Sequence, residues 1–227
     1  MKKFAFLILS LVNAALTAVY VALSPLEIVP MHYNINGVAD SYSSKWFVML
    51  MPCILIVLGI IYLIYSFVAE HYENLLKNQK YVGRIVLGLF LFFIILFWYL
   101  TVICISGATE MGNAFEYILA AASGALMLFI SNLLPKIKQN SSLGIKTHAT
   151  LSSETVWKKT HKLGGYLGVI SGAVMVILAI VGMIFKLNGM AVLFGGLGLF
   201  LVVACIIPCI YASFLYSKEK KANVSCE

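Results

Sequence analysis

Long, uninterrupted apolar runs separated by short polar segments recur along all 227 residues of the chain. Six runs stand out, at residues 4–23, 47–69, 85–106, 114–134, 163–185 and 190–216. About twenty apolar residues in helical form span a hydrocarbon core roughly 30 Å thick. The runs show no alternation of the kind that marks tilted barrel strands, which are only about ten residues long. With no water in the bilayer core to bond backbone amides, apolar segments of this length must satisfy them internally, as helices. The pattern predicts an all-α integral membrane protein, a bundle of about six transmembrane helices.

Position-specific features refine that expectation. Lys2 and Lys3 followed by an apolar run resemble a secretory leader, but the run from 4 to 23 exceeds the roughly 7–15 residues of a signal core, so it is expected to be retained as the first membrane helix. Ser10, Asn13 and Thr17 place a weakly polar stripe on one side of that helix, an expected hydrogen-bonding seam. Gly164, Gly168 and Gly172, with Gly165 beside them, form a small-residue row that lets helix backbones approach closely. Pro52 and Pro208 are expected near helix ends. No Asp, Glu, Lys, Arg or His falls at the middle of a run, which argues against an ion-coupled transporter or proton pump.

Two polar segments carry information of their own. In the loop at 24–46, Met31, Tyr33 and Ile35 alternate with His32, Asn34 and Asn36, a period of two that predicts a strand. Asn36-Gly37 is a hairpin signal, read as a two-residue type I′ turn with positive φ at both positions, and 38–42 would return as the second strand. His32, Asn34 and Asn36 would then share a face within reach of Asp40 and Lys45, either as a recognition surface or as a solvated cap. In the loop at 132–165, Pro135 ends the fourth run, and Asn140 and Gly144 suit turns. Ser152 or Ser153 would cap a short helix with Glu154 in its first turn. That helix would run through Trp157 and His161 into the fifth run, with Trp157 among Lys158, Lys159 and Lys162 as an interfacial anchor.

Composition agrees with the hydropathy: 62% of residues are apolar and only 11% charged, against about a quarter charged in soluble domains. The formal charge of +7 is explained by its distribution. With the N-terminus inside, the inner segments hold Lys2 and Lys3; Lys77, Lys80 and Arg84; Lys136, Lys138, Lys146, Lys158, Lys159 and Lys162; and Lys218, Lys220 and Lys221. Only Lys45 and Lys186 remain outside. The positive-inside rule therefore sets both termini in the cytoplasm, the loop at 24–46 outside and the loop at 132–165 inside, and no direct nucleic-acid partner is expected. Of five cysteines, Cys53, Cys104, Cys205 and Cys209 lie in apolar runs, and with Cys226 they offer no outer-loop disulfide framework.

Catalytic chemistry finds little support. His32 and Asp40 alone make a weak metal pair. His148, His161 and Glu154 accompany no nucleophile elbow, phosphate loop or zinc motif. Neither an enzyme, a metal site nor a cofactor is expected.

The inner-loop string nevertheless resembles the signature of the SdpI family of bacterial immunity proteins. The match falls on Asn132, Leu134, Pro135, Lys136, Lys138, Asn140, Gly144, Ile145, Lys146, Thr147, Thr150, Leu151, Ser152, Val156, Trp157, Thr160, His161 and Gly165. In the outer loop, Pro30, His32, Gly37, Asp40 and Lys45 resemble an N-terminal domain of unassigned function often found with that signature. His148-Ala149 departs from the pattern, which usually has Pro-Trp there. The resemblance implies a multi-pass protein of the bacterial cytoplasmic membrane. It implies protection against a secreted, membrane-active peptide toxin, with recognition at the outer residues Pro30, His32, Asn34, Asn36, Gly37, Asp40 and Lys45. It also implies capture of a cytoplasmic winged-helix repressor at the inner residues Asn132, Pro135, Lys136, Lys138, Asn140, Gly144, Lys146, Thr147, Trp157, Thr160 and His161. On this reading residues 1–69 form a two-helix N-terminal unit and 70–227 a four-helix unit, within one continuous membrane domain in contact with membrane lipids. A lipid- or peptide-handling transporter is the competing reading.

Overall fold

In the computed structural model, residues 2–34, 36–112 and 114–224 are described. Ile35, the third member of the outer-loop alternation, and Cys226 lie outside them. Six helices among the described residues are long and apolar enough to cross a membrane, and a two-stranded antiparallel hairpin follows the first. The elements run α1 (Ala5–Ala22), β1 (Ile28–Tyr33), β2 (Ala39–Ser44), α2 (Leu50–Val68), the short α3 (Glu73–Leu76), α4 (Gln79–Ser106), α5 (Phe115–Leu133), the short α6 (His148–Ser152), α7 (Glu154–Phe185), α8 (Gly189–Phe200) and α9 (Ile207–Val224). Helices α4 and α7 begin six and nine residues before the apolar runs they contain, because their polar first turns continue the same helix at the basic end.

Contacts divide the chain into two compact units, Met1–His71 with Leu89–Phe115, and Tyr72–Gly88 with Glu116–Glu227. In the first unit, α1 packs on α2 along its polar stripe. Ser10, Asn13 and Thr17 are buried; Ser10 and Thr17 bond back to their own helix through Leu7 O and Asn13 O, and Asn13 Oδ1 accepts the indole N–H of Trp98 on α4 at 2.8 Å. A polar group buried in lipid must find such a partner, and the indole supplies it. Val21, Val29, Val48, Cys104 and Ile105 close the core beneath the hairpin.

In the second unit the glycine row of α7 is a packing surface. A Cβ on Gly172 would lie 2.8 Å from the carbonyl oxygen of Gly124 on α5, and one on Gly168 would collide with Ser131. Gly164 faces Pro208 of α9. Ala120, Met175, Ala179 and Leu193 complete this core. Lys186 ends α7 in the left-handed conformation at φ 52°, and Asn188 caps α8 through a bond from Ala191 N.

Pro208 does not sit near a helix end. The last span is one continuous rod from α8 to α9, and its middle, Leu201–Ile206, widens into a π-helical stretch in which Ile207 N–H bonds Val202 O, five residues back. Proline lacks the N–H and its ring crowds the carbonyl four residues before it. A wide turn immediately N-terminal to Pro208 accommodates both problems without ending the helix.

Candidate functional site

The outer hairpin is built from alternation and two register shifts, one on either side of His32. Ile28 pairs Ser44, Val29 pairs Ser43 and Pro30 pairs Tyr42, after which the register shifts around Met31 so that His32 faces Ser41. Val29 and Pro30 point inward, whereas His32 and Asp40 are exposed. His32 Nδ1 lies 2.5 Å from Asp40 Oδ1.

The turn is not type I′. Gly37 N–H bonds Asn34 O at 2.8 Å, Asn34 N–H bonds Val38 O at 2.9 Å, and Gly37 alone takes positive φ, at 73°. The loop is three residues long, with a left-handed position at Gly37 and Asn36 outside the positive-φ region. Asn34 does not present its amide oxygen to solvent; Oδ1 accepts the N–H groups of Asn36 and Val38. The tip is further tied to the segment after α4: Met111 N–H bonds Gly37 O, and Ala39 N–H bonds Thr109 O. The Tyr33 hydroxyl donates to Ala108 O at 2.8 Å. Burial, with Cys104 and Tyr42 nearby, pushes the Tyr33 phenol up to about 12.

Lys45 is turned away from the face it was expected to share. Its side chain is 6% exposed, and Nζ donates to Ser24 O at 2.9 Å and to Glu27 Oε1 at 3.0 Å. An ammonium in the low-polarity rim of the membrane must be paired, and the connection between α1 and β1 supplies both acceptors. Among the seven outer residues singled out by sequence, only His32, Asn36 and Asp40 are left on the surface; Pro30, Gly37, Asn34 and Lys45 hold the hairpin together. Ser24, Glu27 and the 107–112 segment were not foreseen, because nothing in the local pattern couples them to the hairpin.

The inner loop folds into a compact plug on the second unit. Asn140, nearly buried, donates from Nδ2 to Lys138 O and Leu143 O and accepts at Oδ1 from Ser142 and Leu143 N–H. Asn78, just before α4, clasps the backbone of Lys138 with both ends of its amide at 2.9 Å. Thr147 caps α6 in a reciprocal capping box with Thr150, and Thr150 Oγ1 reaches on to Ile145 O. Ser153 caps α7 through Val156 N–H.

Trp157 is not an interfacial anchor. It is 1% exposed, its indole N–H donates to Ile137 O at 2.8 Å, and its ring stacks on His161 with centroids 3.9 Å apart. The folded loop covers it, which a reading of the helix alone could not foresee. His161, wholly buried, pairs Nδ1 with Trp157 O at 2.9 Å and accepts Ile145 N–H at Nε2, 3.0 Å away. Since a carbonyl can only accept, the ring carries its proton on Nδ1 and is neutral. Gly144 sits against this ring at φ 117°, where a Cβ would fall 2.3 Å from Nε2. Thr160 is also buried, and its hydroxyl has no hydrogen-bond partner among the described residues.

Thus Asn140, Gly144, Thr147, Trp157, Thr160 and His161 form the inside of the plug. Asn132, Pro135, Lys136, Lys138 and Lys146 lie on its surface, Lys146 Nζ touching Ser141 O at 3.2 Å. His148 occupies the first position of α6, where a proline is well tolerated, and its ring meets Tyr216 edge-on. Ala149 is buried with Val156 and Ala212. No group of three metal-binding side chains occurs among the described residues.

Residues 136–212 match the model of the SdpI/YfhL protein family, and residues 7–56 match a domain of unknown function, DUF1648. The first match begins at the inner-loop plug and ends on α9; the second covers α1, the outer hairpin and the start of α2. No curated protein and no solved structure matches the chain.

Proposed function

We propose that this chain, similar to the SdpI/YfhL family over its plug and following helices and to DUF1648 over its first two helices, is an immunity protein. It protects the cell against a secreted, membrane-active peptide toxin. The observation that carries this reading is the family match over residues 136–212. Its inner-loop signature residues are the ones that interlock here around Trp157 and His161, so the resemblance extends to a folded unit rather than to a short string. The family resemblance is consistent with toxin immunity, and multiple membrane spans suit that role.

Recognition of the toxin is assigned to the outer hairpin. The His32–Asp40 pair and Asn36 are among its exposed polar groups, presented on a frame tied at one end by Lys45 and at the other by the 107–112 segment. A rigid frame loses little conformational freedom when a peptide docks. Inside, a repressor docking at the plug would meet Asn132, Pro135, Lys136, Lys138 and Lys146, since Asn140, Trp157, Thr160 and His161 are packed away. The test is survival of a sensitive bacterial strain expressing the chain and challenged with a panel of membrane-active peptide toxins. Protection against one toxin is expected, with loss on Asp40→Asn or His32→Ala at unchanged membrane levels. Full protection by both variants would overturn recognition at the hairpin, and no protection across the panel would overturn the immunity reading.

A further inference from the structure

A cleft of about 280 Å³ opens between the first turns of α7 and the last turns of α9, lined by Thr155, Val156, Lys159, Leu215, Lys218, Glu219 and Ala222. Its chemistry is divided. Val156 and Leu215 form an apolar wall, two ammonium groups belong to Lys159 and Lys218, and Thr155 adds a hydroxyl donor. Lys158, the neighbour of Lys159, is committed to Glu154 at 2.8 Å, whereas neither Lys159 nor Lys218 has an ion pair among the described residues. Glu219 contributes the opposite charge: its carboxylate lines the cleft and has no ion pair among the described residues. A carboxylate facing a cleft is met most strongly by a cationic donor.

We propose that this cleft binds the headgroup of an inner-leaflet aminophospholipid, with the phosphate held by Lys159 and Lys218 and the primary ammonium donating to the Glu219 carboxylate. Three observations converge on this occupant. The cleft lies at the basic ends of two membrane helices, the cytoplasmic side by the distribution of Lys and Arg, at the depth where lipid phosphates sit. Its charges demand an anion and a hydrogen-bonding cation only a few bonds apart, which phosphoethanolamine supplies in one group. Its apolar wall, Val156 and Leu215, stands on two helices that cross the membrane, beside which a lipid's acyl chains lie. A headgroup bearing a trimethylated ammonium has no N–H for Glu219, and a phosphatidylglycerol headgroup offers only neutral hydroxyls. The inference is independent of toxin immunity.

Native mass spectrometry of the full-length protein, released from nanodiscs holding equal amounts of phosphatidylethanolamine, phosphatidylcholine and phosphatidylglycerol, tests it. Retention of phosphatidylethanolamine about tenfold above phosphatidylcholine is expected, the ratio produced by about 1.4 kcal/mol. Glu219→Gln should abolish that preference, and Lys159→Gln with Lys218→Gln should lower retention of all three lipids, while size-exclusion profiles show each variant folded. Equal retention of the ethanolamine and choline lipids by the unaltered chain would overturn the proposal, as would a preference that survives Glu219→Gln. A further arm adds soluble phosphoethanolamine: displacement at concentrations equal to the lipid would mean that the site serves a free phosphate ester and would overturn the lipid assignment.

Discussion

At Gly144 two constraints coincide. The backbone takes φ 117°, which L side chains rarely adopt, and the space a Cβ would fill belongs to His161 Nε2. Gly144→Ala must therefore strain the backbone and push the imidazole off Ile145 N–H, leaving a partly buried donor unpaired. Left-handed strain costs roughly 1–2 kcal/mol and an unsatisfied donor about 1–3, so a loss of about 2–5 kcal/mol is expected. Thermal unfolding in detergent should fall accordingly, and hydrogen exchange should accelerate at Ile145 before it does in α7. Unchanged exchange at Ile145 would show that the ring is not the partner that matters. Glycine at 144 was readable as a turn residue, and Trp157 and His161 as signature positions. What escaped the sequence was their burial, because it depends on a loop folding back over its own helix. Asn78 escaped for the same reason: its partner is the backbone of Lys138, 60 residues away, and one asparagine at a helix start has many ordinary explanations.

Among the elements, the outer hairpin was the most legible and its fastening the least. Alternation and Asn36-Gly37 were enough to place two strands, since a strand with one buried face repeats every second residue. The turn type depended on one extra loop residue, which hydropathy does not register. Lys45 reads in sequence as a surface charge; only the carbonyl of Ser24 and the carboxylate of Glu27 beside it make it a latch. Lys45→Met keeps the aliphatic stem and removes both bonds. The ammonium leaves while the Glu27 carboxylate, 75% exposed, stays solvated, and the expected cost is local, about 1–2 kcal/mol from two lost bonds. Limited proteolysis should then cut within 28–44 several times faster while helix content stays constant. Protection of the hairpin equal to that of the unaltered chain would mean that Val29 and Val48 alone hold it down. The π-helical stretch before Pro208 was not legible at all. A proline within an apolar run is compatible with a kink, a bulge or a helix end, and the choice was made by packing of Gly164 and Gly168 against Pro208 and Ala204.

At the scale of the whole molecule, sidedness follows from charge rather than from any contact. An even number of spans puts both termini on one side, and a cytoplasm-negative potential opposes moving each Lys or Arg outward by about 2.3 kcal/mol per 100 mV. Lys45 escapes this penalty in part through its pairing with Glu27, and Lys186, at a helix end, has no ion pair among the described residues, so two outer lysines are tolerated where the much larger inner set would not be. The membrane class and span number were readable from hydropathy because each span is a local property. The division into units was not, since Leu89–Phe115 joins the first unit through contacts with α1, α2 and the hairpin that are distant in sequence. Topology can be measured directly in a chain whose five cysteines are replaced by serine, with one cysteine returned at a time. Ser41→Cys, on the exposed strand β2, should react with a membrane-impermeant maleimide in intact cells. Ser141→Cys, on the exposed surface of the inner plug, should react only after the membrane is permeabilised, and Ser217→Cys near the end of α9 should behave as Ser141→Cys does. Labelling of Ser41→Cys and Ser217→Cys on the same side would require an even number of crossings between them instead of the five spans seen here, and labelling of Ser141→Cys in intact cells would invert the orientation. In the inverted case the hairpin would no longer face an arriving toxin, and recognition there would fall with the topology that places it.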